Sequence, residues 1–178
     1  MSEVTIRKQA PRGMITLRGD LSVPALGAAC AEVNGCDLPA RGQAAHAGEA
    51  ATLWMSSDEL LLLLPQADVP DALTRIGAAL AGSHHLAVDV SDARTLFSIE
   101  GAGLRDVLGK LTPADVSAAA WPPGALRRTR LAQVAAAIWL RTETEAQLIC
   151  FRSVTDYVEA LLHTAAKAGQ VGFHRPLR

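Results

Sequence analysis

The sequence predicts an α+β fold built from two copies of a strand-helix-strand-strand-helix unit, each an antiparallel or mixed sheet with helices packed on one face. Three observations predict it. Strand-like stretches end in glycine and lead into helix-like stretches. Two apolar hairpins, each followed by a helical pattern, lie in the two halves of the chain. These elements recur at a nearly constant offset: 82 residues from Gly19 to Gly101, and 85 both from Trp54 to Trp139 and from Asp71 to Asp156. A small insertion therefore relates two pseudo-repeats, at about residues 13–82 and 88–168, within one domain spanning 1–178 that ends in a tail at 169–178.

The elements follow in order. "MITLRGDL" alternates as a strand, and Ser22 and Pro24 supply a cap and first turn for the alanine-rich helix after it. "TLWMSSDELLLLL" is a hairpin around Ser56, Ser57 and Asp58, and the helix Pro70 to Leu80 follows. The second copy opens with "LFSIEGAGL", a strand with Gly101 at its end and a helix from Leu104 to Leu111. "AIWLRTETEAQLICF" turns at Thr142 to Glu145 and leads into the last helix, Val154 to Ala168. Ser153 and Asp156 resemble a capping box there, and Val154, Tyr157, Val158, Leu161, Leu162 and Ala165 form the expected buried stripe. Segments 37–50 and 118–124 are rich in glycine, proline and small residues and read as loops.

Composition excludes several classes. Almost half the residues are apolar and a fifth are charged, as in globular domains. The longest apolar runs, Leu60 to Pro65 and Val134 to Leu140, fall far short of the roughly 18 residues of a spanning helix, so no membrane partner is expected. A formal net charge of -1 gives no long-range attraction to nucleic acid. "MSEVTIRKQAPRGM" has acid, base and proline where a signal peptide would be apolar, so a cytoplasmic location is expected. Cys30, Cys36 and Cys150 are odd in number and sit in apolar surroundings, which fits buried thiols better than disulfides or metal ligands.

Few residues invite chemistry. Asp89, Ser91 and Asp92 cluster at a strand end, and Asp115 follows one helix later. Either set can act as caps of turns, and Asp115 can also be read as a base. "GAGLRD" puts Asp106 where a dinucleotide fingerprint needs its third glycine, beside the pyrophosphate. His84 and His85 are adjacent, so a strand would aim them at opposite faces. Arg127, Arg128 and Arg130 form the one basic cluster, on the approach to a long apolar strand: a charge-guarded sheet edge, or a docking patch for an acidic partner.

"VDVSDARTLFSIEGAGLRDVLGKLTPADVS" resembles the signature of the aminomethyltransferase folate-binding superfamily, an aspartate-serine strand, a second strand, a glycine corner, a helix and a threonine-x-x-aspartate segment. Within it, "LWMSSDELLLLLP" and "ICFRSVTDYVEALLHTAA" resemble the sarcosine oxidase gamma subunit family, and the likeness runs from about Gly13 to Ala168. The resemblance implies a non-catalytic gamma subunit of a heterotetrameric sarcosine oxidase, partnered by alpha, beta and delta subunits. FAD, FMN, NAD, tetrahydrofolate and zinc are then expected in the other chains and none in this one. Asp115 stands at the superfamily's catalytic aspartate, but Ala114 replaces the asparagine usual before it, and the transferases continue into a further domain beyond the point matching Arg178. The alternative is a free-standing folate-binding one-carbon or iron-sulfur assembly protein; the assembly factors' lysine-glycine-cysteine-tyrosine motif is lacking. For docking, the expectation falls on Arg127, Arg128 and Arg130 and on Phe173 and Arg175 of the tail, residue types that interfaces favour.

Overall fold

The computed structural model describes residues 4–167. Its elements are β1 (Thr5–Lys8), β2 (Gly13–Gly19), α1 (Pro24–Asn34), β3 (Ala44–Ala47), β4 (Ala50–Ser56), β5 (Glu59–Leu64), α2 (Val69–Ala79), β6 (His85–Asp89), β7 (Arg94–Glu100), α3 (Leu104–Leu111), β8 (Leu126–Leu131), β9 (Val134–Thr142), β10 (Glu145–Phe151) and α4 (Thr155–Lys167). They make two five-stranded antiparallel sheets, ordered β3-β4-β5-β2-β6 and β8-β9-β10-β7-β1. The two orders match strand for strand, so the fold is a duplication, and Trp54 and Trp139 lie on the matching strands β4 and β9. No helix among the described residues is long and apolar enough to cross a membrane.

Contacts divide the chain into a first unit, Pro11–Asp92, and a second unit that joins the segment up to Ala10 to Ala93 and beyond. The division assigns the short strands reciprocally. β1 precedes the first copy but pairs with β7 of the second, whereas β6 precedes the second copy but pairs with β2 of the first.

In the first unit α1 and α2 cover one face of the sheet, packing Leu26 and Ile76 against Ile15, Leu17, Leu60 and Leu62. β5 is buried at all six positions, which explains its unbroken leucine run: a strand hidden on both faces has no reason to alternate. Sequence reading expects one apolar face per sheet; here the face away from the helices is buried too, at Met14, Leu53, Leu61 and Leu63. Ser22 does not cap α1. Its amide and hydroxyl both donate to Asp20, Val23 holds the N-cap position without a side-chain bond, and Pro24 opens the helix as expected. The helix closes on Gly35, held at φ 71°, where glycine avoids the Cβ clash.

At the strand end Asp89 organises a turn. Asp89 accepts from the amide and hydroxyl of Ser91, and the buried Ser91 Oγ accepts in turn from Met14 N–H at 2.9 Å. The bond satisfies an amide at the start of β2 that would otherwise be orphaned. Ser91→Ala is therefore expected to cost about 1–2 kcal/mol, the penalty for an unpaired buried donor, read as a lower denaturation midpoint.

In the second unit Phe97, Ile138 and Leu148 of the sheet meet Leu104, Val158 and Leu162 of α3 and α4. Two expectations are corrected here. The arginine-bearing approach to the long apolar strand is itself a strand: β8 and β9 form a hairpin joined through Ala132 and Gln133, with Ala132 at φ 51°. A turn lacking glycine or asparagine carries no local signal. In the stripe of α4, Val158, Leu162 and Ala165 are buried as expected, but Tyr157 is 44% exposed. Ser153 belongs to a short 3₁₀ turn, Arg152–Val154, that leads into α4, while Thr155 shares a hydroxyl hydrogen bond with Thr95 of β7 at 2.7 Å.

Candidate functional site

Asp115 lies in the loop after α3, exposed, and its carboxylate accepts the amide of Ser117 at 2.9 Å, the geometry of an aspartate-capped turn. The loop folds around Trp121, whose Nε1 donates to Ala125 O at 2.9 Å. Arg105 donates to the carbonyls of Val116 and Trp121 at 2.8 and 3.0 Å and holds Glu143 at 2.8 Å. These contacts fix the loop around the buried Trp121. Asp115→Asn keeps an acceptor for Ser117, so stability is expected to change by less than about 1 kcal/mol in chemical denaturation.

The three arginines do different things. Arg127 is turned inward: it donates to Ala120 O at 2.6 Å and to Leu126 O at 3.0 Å, and it lies 5.8 Å over the Trp121 ring. It serves the loop. Arg128 and Arg130 are exposed on β8, an edge of the second unit's sheet. Phe173 and Arg175 lie outside the described residues.

The thiols are poor nucleophiles by environment. Burial pushes Cys30 up to about 12 and Cys150 to about 11, and it raises Cys36 as well. Among the described residues no group of three or more histidine, cysteine or acidic side chains is placed to hold a metal ion. Gly103 precedes α3 and Asp106 sits in its first turn, the position that sequence reading gave as incompatible with a pyrophosphate.

A feature that sequence reading missed lies in the first unit. Two adjoining grooves, of about 270 and 530 Å³, share Asp20, His84 and His85. Leu26 and Leu80 line the smaller one; Arg18, Asp58 and Leu86 line the larger. Hydrogen bonds from Ser22 hold the Asp20 carboxyl below its ordinary value, and a bond from Ser56, with Arg18 nearby, does the same for Asp58. Both are carboxylates at neutral pH. Arg18 reaches Asp58 at 3.5 Å and Glu59 at 2.8 Å. The lining comes from three separated stretches of chain, and no local motif announces it. His84 precedes β6 and His85 opens it, and on that strand Leu86 and Val88 are 53% and 40% exposed.

The model of the sarcosine oxidase, gamma subunit family matches residues 18–168. No curated protein sequence matches the chain. Among solved structures, a chain of the heterotetrameric sarcosine oxidase of Corynebacterium sp. U-96, determined with pyrrole 2-carboxylate, is 28% identical with a TM-score of 0.82, over 94% of this chain and 87% of that one. The glycine cleavage system aminomethyltransferase T of Bartonella henselae is 12% identical with a TM-score of 0.65, over 90% of this chain and 45% of that one, so this chain spans less than half its length. The aspartate kinase regulatory subunit of Thermus thermophilus, 16% identical with a TM-score of 0.54, covers 91% of this chain and 98% of its own. At these identities the last two share the fold alone.

Proposed function

The chain belongs to the sarcosine oxidase, gamma subunit family, and from that premise we propose that it is the non-catalytic gamma subunit of a heterotetrameric oxidase that oxidatively demethylates sarcosine in the cytoplasm. The observation that carries the proposal is the likeness, over nearly the whole of both chains, to a chain of such an oxidase. Its partners are then the alpha, beta and delta subunits, and FAD, FMN, NAD, tetrahydrofolate and zinc belong to those chains. The role of this chain is to bury part of a larger neighbour and hold the assembly in shape. The exposed Arg128 and Arg130, with Phe173 and Arg175 of the tail, belong to the surface offered to that neighbour.

The chain's own residues do not fit folate catalysis. The aspartate at the superfamily position is exposed and committed to a turn through Ser117, while a ligand site needs walls that bury most of the ligand. The family match favours the gamma-subunit reading over a free-standing folate or iron-sulfur assembly protein. Affinity purification of the tagged chain, expressed with the reading frames of the other oxidase subunits, tests the proposal. Recovery of those subunits with the tag is expected; recovery of this chain alone contradicts it.

A further inference from the structure

β6 is an edge of the first unit's sheet, bonded to β2 on one side only. Val90 N–H donates to Met14 O at 2.8 Å. In an antiparallel ladder the bonded pairs alternate, so Val88 and Leu86 exchange bonds with β2, and the N–H and C=O of Ala87 point to the open side. Leu86 and Val88 share one face, beside Arg18 and Thr16 of β2, and stay largely exposed.

Edges of this kind are usually guarded. β1 carries Arg7 and Lys8, β8 carries three arginines, and β3 is only four residues long. β6, "HLAVD", has no lysine, arginine or proline. At its start the strand runs into the larger groove, where two carboxylates, Asp20 and Asp58, line the walls with one arginine, Arg18. An edge with no basic residue or proline, two adjacent aliphatic side chains and an acidic groove at one end form a linear pattern. Its complement is an extended chain with aliphatic side chains at alternate positions and a lysine or arginine at the end over the groove.

We propose that β6 is an acceptor edge, on which an extended segment of a partner subunit adds a further strand, packs its aliphatic side chains on Leu86 and Val88 and places a basic side chain between Asp20 and Asp58. The proposal rests on the subunit reading and specifies where the neighbour binds. Main-chain bonds to Ala87 supply much of the affinity, and the groove fixes the register.

Amide exchange of Ala87, measured in the free chain and in the purified oxidase, tests it. Rapid exchange in the free chain and strong protection in the complex are expected. Recovery of the oxidase with Ala87 still exchanging freely overturns the acceptor edge while leaving the subunit reading standing. Failure to recover the oxidase at all overturns both. A free chain that is dimeric by sedimentation, with Ala87 already protected, assigns the edge to a second copy and also overturns the proposal. A variant checks the side chains: Leu86→Lys with Val88→Lys is expected to weaken recovery with the oxidase by about tenfold or more, the effect of roughly 1.4 kcal/mol, while the unfolding midpoint of the isolated chain holds. The same double substitution leaving recovery intact contradicts the proposed contacts.

Discussion

Trp121→Ala is expected to destabilise the second unit by about 3–5 kcal/mol, the range for deleting a large aromatic side chain from a core. Trp121 is 0% exposed, so its removal leaves a cavity in the cluster that also holds Leu104, Val116 and Ile138. Two further losses add to this. The carbonyl of Ala125 loses the indole donor, and the Arg127 guanidinium loses the ring it lies over. Because Arg127 and Arg105 tie the loop's carbonyls at Ala120, Val116 and Trp121, the damage should spread along residues 116–127 and appear as increased amide exchange there. Trp121→Phe keeps most of the apolar volume and loses the hydrogen bond, so it is expected to cost about 1 kcal/mol beyond its smaller packing loss. Equal effects of the two variants in chemical denaturation would show that the ring does not organise the loop.

Gly13→Ala acts in the first unit by the opposite mechanism. A Cβ at Gly13 would lie 2.5 Å from Val69 Cγ2 and 2.9 Å from the carbonyl oxygens of Leu64 and Pro65. Val69 is β-branched, buried and in the first turn of α2, and the other two atoms are backbone, so none can swing aside. Relief requires β2 and the start of α2 to separate, at an expected cost of roughly 3 kcal/mol, the upper part of the usual overpacking range. Gly77, half-buried on the same helix, is the control: nothing lies within 4 Å of its Cβ position. Gly77→Ala is expected to stabilise α2 slightly through helix propensity.

What was legible in the sequence follows the range of the signals. The β4–β5 and β9–β10 hairpins, the helices α2, α3 and α4, and the duplication all rest on neighbours in sequence or on a constant offset, and each stands in the structure. The reciprocal placement of β1 and β6 was not legible, because a short strand's partner more than 65 residues away leaves no local mark. Capping was only partly readable. Ser22 and Ser153 have the right chemistry for caps, but Asp20 captures the first and a 3₁₀ turn absorbs the second. Tyr157 follows the helical period yet stays exposed, since period assigns a side chain to a stripe and not to a filled contact.

The site divides in the same way. Asp115 as a turn cap was one of the two readings open to the sequence, and its bond from Ser117 N–H is the kind of contact that spacing predicts. The arginine cluster was visible, but the division of labour within it was not: Arg127 is claimed by carbonyls on a loop, and only the packed structure reveals them. The acidic groove beside β6 gathers residues 18–20, 57–58 and 83–86 through strand pairing, which no motif records.

The account's central claim is that this chain completes an oxidase without taking part in its chemistry. The most direct test is to produce the other subunits with and without it and to measure both the mass of the assembled particle and its sarcosine-dependent oxygen consumption. The account predicts that omission lowers the yield and thermal endurance of assembled oxidase, and that adding back the Asp115→Asn chain restores both as well as the unaltered chain does. A full-yield, equally stable and fully active oxidase assembled in its absence would contradict it.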